Sequence, residues 1–282
     1  MGLESLFIGP AGIPLIAKGM GVIDGVKKVR ELGLNAMEIE FVRGIWLKPV
    51  EASSLKNTAR NVNVVLTVHA PYYINLLSKE ESTLNASIKR ITDSARLGCL
   101  AGAWSVVFHP GYYGKLSSEK AIEAVKNVLR RVVSELMNEG VKIWVRPETM
   151  GGLAEFGSLE EIVSVVEGVE MTNVALDFAH LYARSRGAFN RLRDFTEALE
   201  LIESRLGSEA LKEMHIHLSG IEYGDRGERR HVDLKDSTFN WVDVLQALKD
   251  YDVKGVIICE SPSLESDALL IQRELSNRFS RT

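Results

Sequence analysis

Six segments of the sequence end an apolar run with a side chain that could bind a metal ion or transfer a proton. They read LTVHAPY, VVFHPG, WVRPETMG, ALDFAH, MHIHLSG and IICESP. The side chains at these ends are those of His69, His109, Glu148, Asp177, His180, His217 and Glu260. Imidazole and carboxylate ligands without a thiolate are typical of zinc, manganese or iron sites. The pattern therefore predicts a site for divalent metal ions.

The histidines are concentrated at these ends rather than scattered. Four of the six histidines of the chain lie there, and His231 follows in a segment predicted as a loop. Random placement would put about one of them there, because such ends make up roughly a tenth of the chain. His215 precedes His217 by two positions, so on a strand it points to the same side, one layer deeper.

Each residue alone has a structural explanation, but the set does not. Asp177 could cap a following helix, and Glu148 could pair with Arg146. Several carboxylates and imidazoles in one place would leave buried charge unpaired, at several kcal/mol for each group. Divalent ions resolve this conflict. More than one ion is expected, since a tetrahedral zinc ion takes only about four ligands.

The elements that must position these residues are short apolar runs separated by amphipathic segments. The runs are rich in Val, Ile, Leu or Phe and do not alternate, which is typical of parallel strands buried on both faces. We predict strands at residues 5–9, 36–41, 62–69, 104–109, 141–147, 173–178, 212–218 and 254–260. We predict helices at residues 23–32, 82–100, 117–138, 158–166, 189–206, 241–250 and 264–278.

This alternation predicts an α/β fold, a single-domain (β/α)8 barrel over residues 1–282. A doubly wound sheet is the alternative. The segment GPAGIP after the first run is, however, neither a GxGxxG motif nor a phosphate-binding P-loop. In a barrel, the C-terminal ends of the strands meet at one mouth, so the candidate ligands would converge there.

Composition narrows the class of protein. With 45% hydrophobic and 26% charged residues, the chain is globular in type. Its apolar runs are too short to cross a bilayer, so we expect no membrane partner. Cys99 and Cys259 lie outside any CxxC motif, which predicts reduced thiols and a cytoplasmic protein. The net charge of −4 argues against a protein that coats nucleic acid nonspecifically, but it does not exclude a local positively charged site.

The ordered set HAPY, FHPG, PETMG, LDFAH, HIHLSG and CESP resembles the endonuclease IV family of apurinic/apyrimidinic endonucleases, in particular its archaeal-type branch. The likeness covers nearly the whole chain. It implies a (β/α)8 barrel whose site holds three zinc ions. For this chain we expect two or three ions, zinc or alternatively manganese. It also implies cleavage of the phosphodiester 5′ to an abasic site in double-stranded DNA, as in base excision repair. No protein partner can be inferred.

The resemblance implies three groups of metal ligands. The first is His69, His109 and Glu148; the second shares Glu148 and adds Asp177, His217 and Glu260; the third contains His180 and His231. Glu148 is the candidate catalytic residue, since a carboxylate that bridges two ions could orient the attacking water or accept its proton.

One departure from the family pattern concerns the third group. The bacterial pattern has an aspartate two residues before the last histidine, where this chain has Arg229 in GERRHVDL. Glu228 is one residue further from His231, but its side chain is one methylene longer than that of aspartate. We therefore predict that Glu228 completes the third site or lies within one water of it. Arg229 and Arg230 would face phosphate.

The resemblance also implies residues that contact DNA. Tyr72 in HAPY matches a tyrosine position near the abasic gap, and Arg43 in EFVRGIW matches an arginine after the second strand. Arginine clusters at residues 184–193 and 226–230 are predicted on loops that follow strands, where they could contact phosphates. Solvated loop charge is the alternative interpretation of these clusters.

Two other functions remain open. A xylose-isomerase-like sugar isomerase or epimerase would hold a metal ion with Glu148, Asp177, His217 and Glu260, and the two glutamates would act as acid and base beside a carbonyl. That reaction has no need of the additional histidines, so their presence favours the nuclease. A non-catalytic relative that binds metal or damaged DNA without cutting it is the other alternative.

Overall fold

A computed structural model describes residues 2–279 of the chain. Eight parallel strands form its centre, and most of their residues are buried. These strands are β1 (Leu6–Pro10), β2 (Ala36–Glu40), β3 (Val65–His69), β4 (Ser105–Phe108), β5 (Trp144–Pro147), β6 (Ala175–Asp177), β7 (Met214–Leu218) and β10 (Gly255–Cys259). Each overlaps a predicted strand. A hairpin of β8 (Gly220–Gly224) and β9 (Gly227–Val232) lies between β7 and β10 along the chain.

The strands close into a barrel. One hydrogen-bonded group runs β1–β10–β7–β6 and the other runs β2–β3–β4–β5. A parallel bridge from Ala11 to Glu38 joins β1 to β2, and one from Glu148 to Ala175 joins β5 to β6. A closed ring of parallel strands confirms the (β/α)8 barrel and excludes the doubly wound sheet.

Helices form the outer layer. They are α1 (Val22–Glu31), α2 (Pro49–Val62), α3 (Glu81–Leu100), α4 (Ser118–Asn138), α5 (Leu159–Val166), α6 (Phe178–Arg184), α7 (Leu192–Leu206), α8 (Ser208–Leu211), α9 (Trp241–Asp250) and α10 (Glu265–Phe279). The sequence interpretation missed α2, α6 and α8. The buried residues of α2 are only Ala52, Leu55 and Ala59, so its apolar stripe is weak. Among residues 2–279, no helix is long and apolar enough to span a membrane.

The segment that was predicted as a loop after β7 is instead the antiparallel hairpin β8–β9, and its irregular pairing matters for the site. His231 pairs with Ile221 and Glu228 pairs with Tyr223, two residues that share a face of β8. Arg229 is the extra residue that makes this pairing possible. In a regular strand, residues three positions apart point to opposite faces. The bulge at Arg229 therefore brings Glu228 and His231 to the same face.

The close approach of β1 to β2 depends on Gly9. A Cβ at this position would lie 1.6 Å from the carbonyl oxygen of Ala36. We expect Gly9→Ala to push the two strands apart and to lower the free energy of unfolding by about 1–3 kcal/mol or more, measured by urea denaturation. Gly21→Ala is the control, because no heavy atom lies within 4 Å of a Cβ there. Equal free energies of unfolding for the two variants would contradict this account of the contact between β1 and β2.

Candidate metal centre

The residues predicted to bind metal meet at the C-terminal end of the barrel. Their ligand atoms form three groups in which all atoms lie within 4.8 Å of one another: His69, His109 and Glu148; Glu148, Asp177, His217 and Glu260; and Asp177, His180 and His231. The first two groups have the membership that the sequence predicted. The third contains Asp177 beside His180 and His231 and does not include the predicted Glu228, whose carboxylate approaches both of these imidazoles separately. That these atoms hold ions stays a prediction.

Glu148 is fully buried at the centre of three imidazoles. Its Oε2 atom lies 3.2 Å from Nε2 of both His69 and His109, and its Oε1 atom lies 2.9 Å from Nδ1 of His217. Burial alone would raise the pKa of Glu148, but the imidazoles, His217 foremost, hold that pKa well below its ordinary value. Glu148 is therefore ionised, and its two oxygens face two different ligand groups, as a bridging carboxylate requires.

Backbone carbonyls fix the orientation of two imidazoles. Nδ1 of His69 donates to the carbonyl oxygen of Ala70 at 2.8 Å, and Nδ1 of His180 donates to that of Thr149 at 2.8 Å. Because a carbonyl oxygen only accepts, each Nδ1 must carry a proton. The second nitrogen, Nε2, is then directed at the carboxylates and can serve as a ligand.

Without metal ions, protons supply the positive charge at these imidazoles. Burial alone would lower the pKa of His69, but Glu148 and other nearby carboxylates raise it to about 10. Burial likewise opposes the charged form of His180, yet Asp177 and Glu228 are among the groups that raise its pKa to about 10. A divalent cation would replace these protons and would satisfy the same carboxylates.

The carboxylates of Asp177 and Glu260 show that positive charge is still lacking. Asp177 caps α6, with Oδ1 accepting from the backbone N–H of His180 at 2.7 Å, while its buried Oδ2 has no hydrogen-bond partner. Burial, together with Glu148 and Asp177, raises the pKa of Glu260 to about 8 although His217 opposes this shift. An orphaned carboxylate oxygen beside a carboxyl group that resists ionisation fits a divalent cation.

The third group lies between α6 and the hairpin. Nε2 of His180 is 3.3 Å from Nε2 of His231 and 3.2 Å from Oε2 of Glu228. Nε2 of His231 is 3.5 Å from Oε1 of Glu228, and its Nδ1 contacts the hydroxyl of Ser219 at 2.6 Å. Burial and the neighbouring His180 lower the pKa of His231. Two imidazole nitrogens and one carboxylate thus converge.

Gly151 gives Glu228 the space to reach His180. The backbone N–H of Glu228 donates to the carbonyl oxygen of Gly151 at 3.1 Å, which ties the hairpin to the segment after β5. A Cβ on Gly151 would lie 2.7 Å from Oε2 of Glu228 and 3.2 Å from Cδ2 of His180. The third group therefore depends on a glycine in the PETMGG segment as well as on the bulge in β9.

The two residues predicted to contact DNA lie on the same rim of the barrel mouth. Tyr72 is 45% exposed and stacks on His109, with ring centroids 5.1 Å apart and planes inclined by 9°. Burial and nearby carboxylates raise the pKa of Tyr72 above its ordinary value. Its backbone N–H donates to the carbonyl oxygen of Val42 at 3.4 Å, beside the exposed Arg43.

The predicted arginine clusters do not all face solvent. The guanidinium of Arg184 donates to the carbonyl oxygens of Gly152 and Glu155 at 2.7 and 3.1 Å, so it holds the segment after β5. The prediction that Arg184 could contact phosphate is therefore corrected. Arg230 is exposed and pairs with Glu222 at 2.7 Å, whereas Arg229 is exposed at the bulge.

The sequence interpretation missed two carboxylates of β2 that face this centre. Burial raises the pKa of Glu40 to about 7, and Glu38 lies one layer deeper. A cavity of about 320 Å³ at the mouth is lined in part by Glu40, Tyr72, His231 and Glu260. The spacing of Glu38 and Glu40 is the same as that of His215 and His217. Applying the strand-end rule to the EIEF segment would have identified both.

A closed (β/α)8 barrel with imidazoles and carboxylates gathered at its C-terminal mouth defines the class of protein. The family model described as "Xylose isomerase-like TIM barrel" matches residues 26–278. The chain belongs to this family.

Similar proteins bear different names. An uncharacterized protein of Methanocaldococcus jannaschii is 43% identical over 95% of this chain and 96% of its own length. A probable endonuclease 4 of Methanosphaera stadtmanae is 31% identical over 70% of this chain and 75% of its own length. Among solved structures, endonuclease IV of Thermus thermophilus matches with a TM-score of 0.69 and 24% identity, covering 95% of this chain and 97% of that one. A D-tagatose 3-epimerase-like protein also gives 0.69, with 23% identity and coverage of 90% and 91%. These two structural matches show a shared fold alone.

Glu260→Gln tests whether the mouth lacks positive charge when no metal is bound. Burial, with Glu148 and Asp177, raises the folded-state pKa of Glu260 from 4.5 to about 8. The metal-free wild type should therefore lose stability relative to the variant as the pH rises from about 4.5 to about 8. Urea unfolding in chelator across that range measures the difference. Adding zinc should reverse its sign, because an amide is the poorer ligand; a difference that does not change with pH would contradict this account.

Proposed function

We propose that this protein is a metal-dependent endonuclease that hydrolyses the DNA phosphodiester 5′ to an abasic site. The observation that carries the proposal is the third donor group, in which His180, His231 and Glu228 converge. Sugar isomerisation at one metal ion needs only four ligands, such as Glu148, Asp177, His217 and Glu260. A second and a third group of donors beside that set instead fit the several ions that phosphodiester hydrolysis can use.

The relatives support the same activity. The probable endonuclease 4 of Methanosphaera stadtmanae aligns with 70% of this chain at 31% identity. The likeness in fold alone would not separate the two reactions, because both structural matches have the same TM-score.

We assign two or three ions, zinc being the first candidate and manganese the second. The first would be held by His69, His109 and Glu148, the second by the tetrad of Glu148, Asp177, His217 and Glu260, and the third by His180, Glu228 and His231. When bound, such ions acidify a water molecule and neutralise charge on the phosphoryl oxygens. The donors outside the tetrad, four imidazoles and one carboxylate, would have no role at a site that holds a single ion.

Glu148 is the proposed catalytic residue. Its oxygens face His69 and His109 on one side and His217 on the other, so it stands where the first two groups meet. A buried carboxylate held between these groups can orient an attacking water and accept its proton. A backbone carbonyl fixes the ring of His69, so this contact of Glu148 does not have to reorganise during the reaction.

Tyr72 and Arg43 are the proposed contacts to DNA. Tyr72 presents part of its ring at the rim while its other face rests on His109, so it can occupy the gap left by a missing base. Arg43 is exposed on the adjacent segment and can bind phosphate. Double-stranded DNA with abasic sites is the proposed substrate.

A sugar isomerase or epimerase is the second candidate. One observation favours it: the four residues Glu148, Asp177, His217 and Glu260 form a complete group by themselves. A protein that binds damaged DNA without cutting it is the third. Assays of nicking, binding and epimerisation separate these three functions.

Purified protein should nick a duplex oligonucleotide that carries one abasic site, and chelation should abolish nicking. In Glu148→Gln the amide keeps the shape but loses the charge shared by the first two groups. We expect nicking at least about a hundredfold slower, which corresponds to about 3 kcal/mol in the barrier, with the fold retained by circular dichroism.

Glu123→Gln, which changes an exposed carboxylate on the outer helix α4, is the matched control and should nick at the wild-type rate. If the wild-type protein epimerises ketoses and never nicks DNA, the assigned function changes from nuclease to isomerase. Tight binding of abasic DNA without nicking, in the presence of added metal, would instead identify the non-catalytic relative.

Glu228→Ala and Arg229→Ala separate the two predicted roles of neighbouring residues. Glu228→Ala should lower the occupancy of one ion while the other two remain, as measured by elemental analysis and an anomalous difference map. Arg229→Ala should leave metal content unchanged, weaken DNA binding and reduce the slope of its salt dependence by about one. Unchanged metal content in Glu228→Ala would refute the third site as assigned.

A further inference from the structure

Glu40 is a carboxylate at the barrel mouth that the proposed function leaves without a role. It is the last residue of β2 and lies opposite His69 in the register of β2 with β3. Successive side chains of a strand point to opposite faces, so Glu40 points to the same side as Glu38, which contacts His217 inside the barrel. The side chain of Glu40 is therefore directed into the barrel, at the level of the proposed metal ligands.

The groups of metal ligands do not account for Glu40. Among residues 2–279, no group of ligand atoms that lie within 4.8 Å of one another includes its carboxylate. The side chain is only partly buried, yet its Oε1 atom is shielded from solvent and has no hydrogen-bond partner in this part of the chain. A buried polar atom without a partner is uncommon, and a bound ligand can supply the missing hydrogen bond.

Glu40 lines the cavity of about 320 Å³ at the barrel mouth. This volume lies at the lower end of the range for small-ligand pockets, about 300–1,000 Å³. One proposed DNA contact and two proposed metal ligands share the wall with Glu40: Tyr72, His231 and Glu260. The rest of the wall is mainly apolar and includes Ala11, Val42, Pro262 and Leu264. A single sugar-sized group that enters this cavity would therefore lie beside both the proposed metal ligands and Glu40.

The chemistry of Glu40 favours a hydroxyl group as its partner. A hydroxyl can donate to a carboxylate and accept from a carboxyl group, so it pairs with Glu40 in either protonation state. Phosphate oxygens, in contrast, carry negative charge and repel a carboxylate. The sugar–phosphate backbone of intact DNA has no hydroxyl within the strand, because deoxyribose lacks the 2′-OH. An abasic site adds one, since loss of the base leaves a hydroxyl on C1′ of the sugar ring.

We propose that Glu40 is a specificity-determining residue that binds the C1′ hydroxyl of the abasic deoxyribose. A nucleotide that retains its base has no hydroxyl at this position, so the contact selects the damaged sugar. The inference rests on the proposed nuclease function and names the atom of the substrate that the mouth cavity would recognise.

Two duplexes that differ in one hydroxyl test the inference. One carries a natural abasic site, prepared by enzymatic removal of uracil, and the other carries a tetrahydrofuran residue, which lacks the C1′ hydroxyl. With the full-length zinc-loaded protein, kcat/KM for nicking is measured on both. We expect the wild type to nick the natural site about 10- to 100-fold more efficiently, because tetrahydrofuran leaves the carboxylate of Glu40 unpaired.

Glu40→Leu removes the polar group and should bring the ratio of the two kcat/KM values close to one. A general effect on the fold or on the metal ions would slow both substrates alike and would not change this ratio. Glu123→Leu, which changes an exposed carboxylate of the outer helix α4, is the control and should keep the wild-type ratio. If Glu40→Leu does not fold, Glu40→Asp, whose carboxylate is withdrawn by one methylene, should lower the ratio in the same direction.

The outcomes separate the inference from the proposed function. Equal nicking of the two duplexes by the wild type would overturn the role of Glu40, and so would a wild-type ratio in the folded Glu40 variants. Loss of an ion from Glu40→Leu, measured by elemental analysis, would also overturn it, because Glu40 would then be a metal ligand. If the wild type with added metal nicks neither duplex, the proposed nuclease function is contradicted, and the inference that rests on it falls as well.

Discussion

Negative charge buried at the mouth of the barrel is the constraint on which the rest of this structure depends. Parallel strands bring Glu148, Asp177 and Glu260 to one end of the barrel, and helices and loops remove them from water. Together these carboxylates leave Oδ2 of Asp177 without a hydrogen-bond partner, and Glu148 and Asp177 help burial to raise the pKa of Glu260. The imidazoles around them offset part of this charge. Backbone carbonyls orient the rings of His69 and His180, and the hydroxyl of Ser219 orients His231, toward the carboxylates.

Buried polar side chains also occupy the interior of the barrel away from its mouth. At the opposite end, the fully buried Arg146 lies between the rings of Trp104 and Trp144, with its guanidinium carbon 4.6 and 5.0 Å from their centroids. Burial lowers the pKa of Arg146 to about 9. Its guanidinium donates to the carbonyl oxygens of Val174 and Glu213 at 3.2 and 2.6 Å, so it does not pair with the mouth carboxylates. The usual barrel interior consists of branched apolar side chains. Here the apolar core that holds the fold together therefore lies mainly between the strands and the helices.

The sequence predicted the barrel well because buried parallel strands have a strong local signature. The positions of His69, Glu148 and His217 followed from the strand ends alone. The β8–β9 hairpin could not be predicted in the same way, since the stretch GERRHV has no apolar alternation and its pairing depends on an extra residue, Arg229. Glu38 was missed because the strand-end rule was not applied to the EIEF segment. Its contacts with Thr67 of β3 and with His215 and His217 of β7 form only when the barrel closes.

The geometry of the third donor group depends on coincident local features rather than on the fold. Gly151 leaves the space, the bulge at Arg229 turns Glu228 toward His231, and α6 presents His180 from the cap formed by Asp177. None of these features is required to close the barrel. The strand ends supply the first two groups without the hairpin, so the bulged hairpin adds only the third. Under the proposed function, the β8–β9 hairpin and the segment after β5 would therefore distinguish the nuclease from a sugar-converting enzyme, while the barrel supplies the strand-end carboxylates.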